Sequence, residues 1–350
     1  MLLGYALTPF GHDPDAWRQR RDGRLLGFDA LLDQAAAAEA AGFDFILLAD
    51  RLGVRPTDEL SPGAVPFEPT LLASALATRA VGIGIVAAAS TAQHEPYNLA
   101  RRFASLDLVS KGRSGWLVVP DDGDASRESE YVDVVTALWD SFEDDAFLYD
   151  KAEGRFFDPS KMHVAHHKGA HFSVRGPLNV NRSPQGRPIL AHLLEEGDDA
   201  LAAQTGELLL LQASNGDRLV AIAGRAIRSV EVAGRRRSDV RLVANIVPVV
   251  SGSTQPPGEG GTTPPLAGAG IIGTPEMIAD RLHQLATVAD LDGFTILPPT
   301  LEMGQRFLAE VVPELGRRGL IGGQRQETLR DRLGLARPMH PAISGKEVPR

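Results

Sequence analysis

The chain has 350 residues, a net charge of -9, 43% hydrophobic and 23% charged residues, and no cysteine. Those proportions exclude global disorder, and the length suits one large α/β barrel or two average domains with a core that needs no covalent staples. The missing thiols exclude disulfides, thiolate metal sites, iron–sulfur clusters and cysteine nucleophiles, and the acidic balance argues against nucleic acid or an anionic membrane as partner. The opening MLLGYALTPFGHD has neither a basic leader nor a long apolar core. No apolar run approaches the ~20 residues of a spanning helix. A cytoplasmic protein is expected, since a thiol-free chain is at home in a reducing compartment.

In chain order, LLGYALT (2–8) reads as a strand followed by a helix at 27–41, and FDFILLA (43–49) as a strand followed by a helix at 68–79. VGIGIVAAA (81–89) and GWLVV (115–119) are the next strands, followed by helices at 96–109 and 127–142. PILAHLL (188–194), ELLLLQA (207–213), VRLVANIVPVV (240–250) and GFTILP (293–298) continue the pattern, with helices at 197–204, 217–234, 275–288 and 303–318. Near-continuous apolar strands imply burial on both faces and a parallel sheet. Eight strand–helix units predict an α/β fold of the (β/α)8 TIM-barrel kind over residues 1–350. A doubly wound open sheet is the rival, and it is weakened because no GxGxxG follows the first strand.

Two stretches break the alternation. Residues 150–186 are too irregular for a simple connection, and within them HHKGAHFSVRG reads as a small hairpin with Gly at its turn. Residues 252–270, GSTQPPGEGGTTPPLAGAG, read as a flexible loop. His163, His166, His167 and His171 are the densest cluster of potential ligands, but Lys-Gly interrupts them and no carboxylate is close in sequence. No metal is expected. The basic GRRRS at 234–238 reads as a solvated helix end.

Catalytic groups of such barrels sit after the strands. The candidates are Asp50; Ser90 and Thr91; Asp121 and Asp122; Glu195 and Glu196; and Gln212 and Ser214. For each, the plain alternative is a helix cap or a solvated loop. Adjacent acids such as Glu195–Glu196 suggest an acid/base pair only if their side chains converge. Arg101 and Arg102, in the first turns of the helix begun by Pro96, suit either a phosphate or the nearby Glu95 and Asp107.

At HEPYNLARRFASLDLVSKGRSGW the sequence resembles the bacterial luciferase-like, flavin-dependent monooxygenases, in particular the nitrilotriacetate and dibenzothiophene-sulfone monooxygenase branch. FILLAD, LWDSFEDDA, HHKGAHFSVRGPLNVNRSPQGRP, IIGTPEMIADRL, DGFTILPP and VVPELGRRG extend the match from about residue 40 to 335 in family order. The resemblance implies a (β/α)8 barrel and a homodimer. It also implies reduced FMN supplied by a separate flavin reductase, with O2 used to oxygenate a small organic substrate. It places Asp50, Ala88, Ser90 and Thr91 at the flavin. Here Ala88 stands where the family has Thr, His94 replaces an Asn and Leu117 replaces another. A His–Tyr segment after the fourth strand is missing, and the phosphate-gripping QAGAS is replaced by AHLLEEG, which brings Glu195 and Glu196 towards the phosphate. Tyr131 matches a different aromatic on the following helix. His94 and His192 are further candidates for the pocket wall. Two alternatives follow from these departures: a member that no longer binds FMN and acts as a binding or partner subunit, and one that uses the deazaflavin F420.

Overall fold

The computed structural model describes residues 1–19, 27–50, 67–120, 123–197, 199–251, 266–322 and 327–344. Asp121, Asp122 and positions 252–265 of the expected loop lie outside them. All eight expected strands form: β1 (Leu2–Ala6), β2 (Phe45–Leu48), β3 (Gly84–Ser90), β4 (Ser114–Val119), β5 (Ile189–Leu194), β6 (Leu208–Leu211), β7 (Arg241–Val250) and β8 (Gly293–Ile296). Each pairs in parallel with the next, and β8 returns to β1 with Leu2 opposite Gly293. The sheet is therefore a closed barrel without free edges.

A further strand, Ala269–Gly273, pairs with Ile246–Val250 of β7, beyond the stretch paired by β6 and on the side of β7 away from β8. Positions 269 and 270, expected in the flexible loop, are thus ordered. Their Ala-Gly composition carries no strand signal; the pairing partner imposes the conformation.

The helices around the barrel are α1 (Phe28–Ala40), α2 (Pro69–Ala77), α3 (Pro96–Ser110), α4 (Ala125–Trp139), α5 (Ala200–Thr205), α6 (Gly216–Val232) and α7 (Pro275–Val288). An eighth helical run, α8, spans residues 301–317 and passes through a π segment at Phe307–Val311, just before Pro313. Their starts follow capping chemistry. Asp124 accepts from the Ser126 and Arg127 amides, Glu68 from Leu71 and Thr274 from Met277, and Pro opens α2, α3 and α7. Residues 150–186 contain the expected hairpin, His167–Lys168 against Ser173–Val174, and Phe147–Asp150 pairs with Arg155–Phe157 beside it.

The strand pleat divides the core in two. Phe45, Leu47, Val86, Ala88, Leu117 and Ile189 fill the barrel interior, while a second layer lies between strands and helices. The N-terminal end of the barrel is plugged by the chain's own tail, where Leu329, Leu333 and Leu335 join the interior cluster. Gly84 makes room for that plug, since a Cβ there would stand 2.5 Å from Leu329 Cδ1.

Arg330 fixes the plug from a nearly inaccessible position. Its guanidinium donates to Glu207 Oε1 at 2.5 Å and Oε2 at 2.9 Å, and to the Arg187 carbonyl at 3.2 Å. Removing one partner of a buried ion pair costs more than removing both. Arg330→Ala should therefore lower unfolding stability by about 3–5 kcal/mol, and Arg330→Met with Glu207→Leu should recover much of it. Urea denaturation of the two variants measures this; equal losses would show that the charge pairing is immaterial.

Candidate functional site

A cavity of about 180 Å3 opens at the C-terminal end of the barrel, between β2, β3, β4 and β5. Ala49 and Asp50 line it from β2, Ala88 from β3 and Leu117, Val119 and Pro120 from β4. Asp50 is the one charged residue among the described lining residues. Short side chains on β3 leave the space: Ala88 and Ser90 alternate towards the barrel axis, and both are buried.

The turn after β3 is rigidly held. Ser90 Oγ accepts from the Ala92 amide at 3.1 Å. Thr91 donates its amide to the Val119 carbonyl at 3.1 Å and its hydroxyl to Glu128 Oε2 at 2.5 Å. Thr91 is fully buried and its hydroxyl turns away from the mouth, towards α4. Arg127 donates to Glu128 at 2.6 Å and to the Thr91 carbonyl at 3.1 Å. Trp116 donates to the Ala89 carbonyl and Tyr131 to that of His94, at 2.9 and 2.7 Å. Tyr131 is thus a buried brace for the turn.

His94 lies at the rim with Gln93, Asn98, Arg101 and Arg102. Burial, and then Arg102, push its pKa down, while Glu68 and Asp50 oppose them. The Arg pair does not meet Glu95 or Asp107: Arg102 reaches Glu68 at 3.5 Å and Thr70 at 3.2 Å. Asp107 is instead a buried junction, accepting from the Ser114 amide (2.9 Å), the Ser114 hydroxyl (2.7 Å) and Gln185 (2.7 Å).

After β5 the two glutamates diverge, so they form no acid/base pair. Glu195 accepts from Gln212 Nε2 at 2.8 Å, and Gln212 Oε1 accepts from the Ala267 amide at 2.6 Å. Glu196 faces Arg218 at 3.5 Å with both side chains exposed. Arg225 pairs with Asp199 at 2.7 Å and also donates to the Glu195 carbonyl. Ser214 is exposed. Beside this end of the barrel, Leu266 is inserted into the interior cluster. Sequence reasoning missed it, although Leu266 is the single large apolar side chain in residues 252–270.

The clustered histidines are anchored separately. His163 meets Glu143 at 2.9 Å, His167 meets Glu130 at 2.8 Å and His171 approaches Asp124 at 3.8 Å. Glu143, His163 and His340 bring ligand atoms within 4.8 Å of one another. Both nitrogens of His340 are already engaged, Nδ1 by the Ala342 amide (3.2 Å) and Nε2 by the Asp140 carbonyl (2.9 Å). The basic 234–238 stretch is likewise tied down. Arg235 donates to the Ala203 carbonyl, Arg236 pairs with Asp239, and Arg237 pairs with Asp290 and Asp292.

This architecture has known counterparts. The luciferase-like monooxygenase family model matches residues 6–255. The chain belongs to the luciferase-like monooxygenase family. It is 30% identical to N-acetyl-S-(2-succino)cysteine monooxygenase of Bacillus subtilis and 31% identical to nitrilotriacetate monooxygenase component A of Aminobacter aminovorans. Both matches cover 97% of this chain and 97% of the relative. The structure of EDTA monooxygenase from Chelativorans sp. BNC1 superposes with a TM-score of 0.83 at 26% identity, covering 97% of this chain and 99% of that one. The homologues are flavin-dependent monooxygenases acting on small organic substrates, and this chain belongs to their family. The first of these alignments runs over 430 positions although the chain has 350 residues, so that relative carries segments without a counterpart here.

The hairpin at 167–174 supports the site through α4. Phe172 lies 5.4 Å from the Tyr131 ring and under Arg127 at 5.2 Å. Glu130 holds the hairpin by accepting from His167 and from the His171 and Phe172 amides. Burial pushes the Glu130 pKa up, but these donors outweigh it and hold it down, from 4.5 to about 2. A carboxylate with a depressed folded-state pKa stabilises above its ordinary value and loses that contribution as the pH falls through its folded value. Amide protection at His171 and Phe172 should therefore persist above about pH 4.5 and disappear as the pH approaches about 2, with Glu130→Ala removing it at pH 7. Unchanged protection in Glu130→Ala would show that the carboxylate does not hold the hairpin.

Proposed function

We propose that the protein binds reduced FMN, delivered by a separate flavin reductase, at the C-terminal mouth of the barrel and oxygenates a small organic molecule with O2. The observation that carries this reading is the apolar cavity between β2 and β5 with the Asp50 carboxylate at its rim. The residues present fit the ring end of a flavin. Ala88, Leu117 and Val119 offer flat apolar surface, Asp50 an acceptor for a ring N–H, and the braced turn at Ser90 a fixed wall. The cavity lies below the ~300–1,000 Å3 usual for whole-ligand sites, which matches part of a cofactor rather than all of it.

The phosphate end fits less well. Glu195 and Glu196 follow β5, and their arginine neighbours are engaged by Asp199 and Glu196. Weak retention at that end suits a flavin that arrives reduced and leaves after each turnover. When bound, the flavin supplies the oxygen chemistry. The chain's part is to orient the ring against β3 and β4, exclude water with the apolar wall and leave room for substrate. Asp50, Ala88 and Ser90 are the contacts we assign to the ring, and Thr91 holds the turn from behind. The described lining offers no cation to pair with a polycarboxylate, so the compounds that name the nitrilotriacetate and EDTA relatives are not carried over to this chain.

Titrating the protein with oxidised and reduced FMN, with F420 in parallel, tests the reading. Reduced FMN should bind, and Asp50→Ala should weaken it by roughly ten- to a hundredfold, the effect of one hydrogen bond to a charged group. Saturating FMN without any optical change would overturn the reading in favour of a family member acting as a binding or partner subunit. Preference for F420 would replace the cofactor.

A further inference from the structure

The mouth cavity is not confined to the barrel axis. The paired register between β4 and β5 ends at Val118 and His192, and beyond it the two strands part. By the strand pleat, Ala191 and Leu193 face inward, while His192 and Leu194 face the helices. The same cavity is lined by His192, Leu194, Leu201 and Ala202 as well as by Asp50 and Ala88. It therefore runs from the rim through the parting of β4 and β5 to the inner face of α5.

Its inner end has a defined polarity. Thr205 Oγ1 lies 2.8 Å from the Leu201 carbonyl and 3.0 Å from His192 Nε2. A hydroxyl has one hydrogen and a carbonyl has none. Both contacts are satisfied together only when Thr205 donates to Leu201 and His192 Nε2–H donates to Thr205. This tautomer leaves Nδ1 as a bare acceptor, and Nδ1 has no hydrogen-bond partner among the described residues. An acceptor without a protein donor is open to a donor from a ligand. His192 is 5% exposed, and burial, reinforced by Arg235, holds its pKa down at about 3, so the acceptor stays neutral at physiological pH.

We propose that this cleft is the substrate-recognition end of the site, taking a neutral, largely apolar small molecule that carries one hydrogen-bond donor, with His192 Nδ1 as the acceptor. Leu193, Leu194 and Leu201 supply the apolar wall, and the described lining offers no cation to an anion. The proposal rests on the monooxygenase reading only in calling the occupant a substrate; the binding preference stands on the cleft itself.

Three probes of one shape test it by ligand-observed NMR and calorimetry on the full chain: p-cresol, with a hydroxyl donor; 4-methylanisole, with none; and p-toluate, an anion. The expected order is p-cresol first, 4-methylanisole about tenfold weaker for want of one hydrogen bond, and p-toluate weakest. His192→Phe should bring p-cresol and 4-methylanisole to equal affinity, and Leu201→Phe should exclude both. Ring-nitrogen NMR should show His192 as the Nε2–H tautomer, with Nδ1 shifting when p-cresol binds. Equal affinity for all three probes, binding of none, or a preference that survives His192→Phe overturns the proposal. FMN titration of the same samples keeps the two readings apart. A p-cresol preference without FMN binding retains the cleft and removes the flavin; FMN binding without the preference does the reverse.

Discussion

The closed, plugged barrel is the constraint on which the site depends. Parallel pairing from β1 round to β8 closes the eight-stranded barrel on itself. That closure leaves two ends at which function can be built. The tail closes one of them with Leu329, Leu333 and Leu335, anchored by Arg330 on Glu207. At the other end, Leu266 occupies part of the interior. What remains open is the sector bounded by β2, β3, β4 and β5, and that is where the cavity lies. The position of the site thus follows from packing before any catalytic group is considered.

Rigidity around that sector comes from polar groups held in the second layer. Thr91, Glu128, Arg127 and the Tyr131 hydroxyl fix the turn after β3, and Phe172 of the hairpin packs behind them. Each member is buried or half-buried, so a broken link leaves an unsatisfied group rather than a solvated one. On the far side, Gln212 joins the Glu195 loop to the chain returning at Ala267. The two rims are thereby held by different elements: α4 steadies the β3 side, and β6 steadies the β5 side.

The barrel was legible in the sequence because its strands are continuous apolar runs, and burial on both faces leaves that trace. Asp50 was legible for the same reason, as the first polar residue after the most apolar run. Other features leave no local trace. Thr91 reads as a pocket residue, yet its hydroxyl is drawn to Glu128, 37 positions away. Ala269–Gly273 is a strand only because β7 runs on past β6 and offers it unpaired backbone. His340 packs 4.9 Å from His163 through a tail contact that no spacing announces. Glu195 and Glu196 look like a pair in sequence and are separated by Gln212 and Arg218 in space. In each case a long-range partner decides the side chain's direction, and the fold must be known before the partner can be.

The loss of segments that the relatives carry bears on how this member selects its ligand. In barrel enzymes selectivity usually resides in the loops above the strands. Here the alignment with a full-length relative exceeds the chain's own length by a wide margin. The described wall of the cavity is made of side chains fixed on the strands and the short α5. That wall favours small differences in chemistry over large enclosing surfaces. Thr205, the last residue of the six-residue α5, meets His192 where the paired register of β5 with β4 ends, and this places one acceptor at the end of an apolar cleft. An unpaired acceptor rejects a ligand without a donor more strongly than an apolar wall rejects an extra methyl group, so one residue can carry much of the discrimination at this cleft.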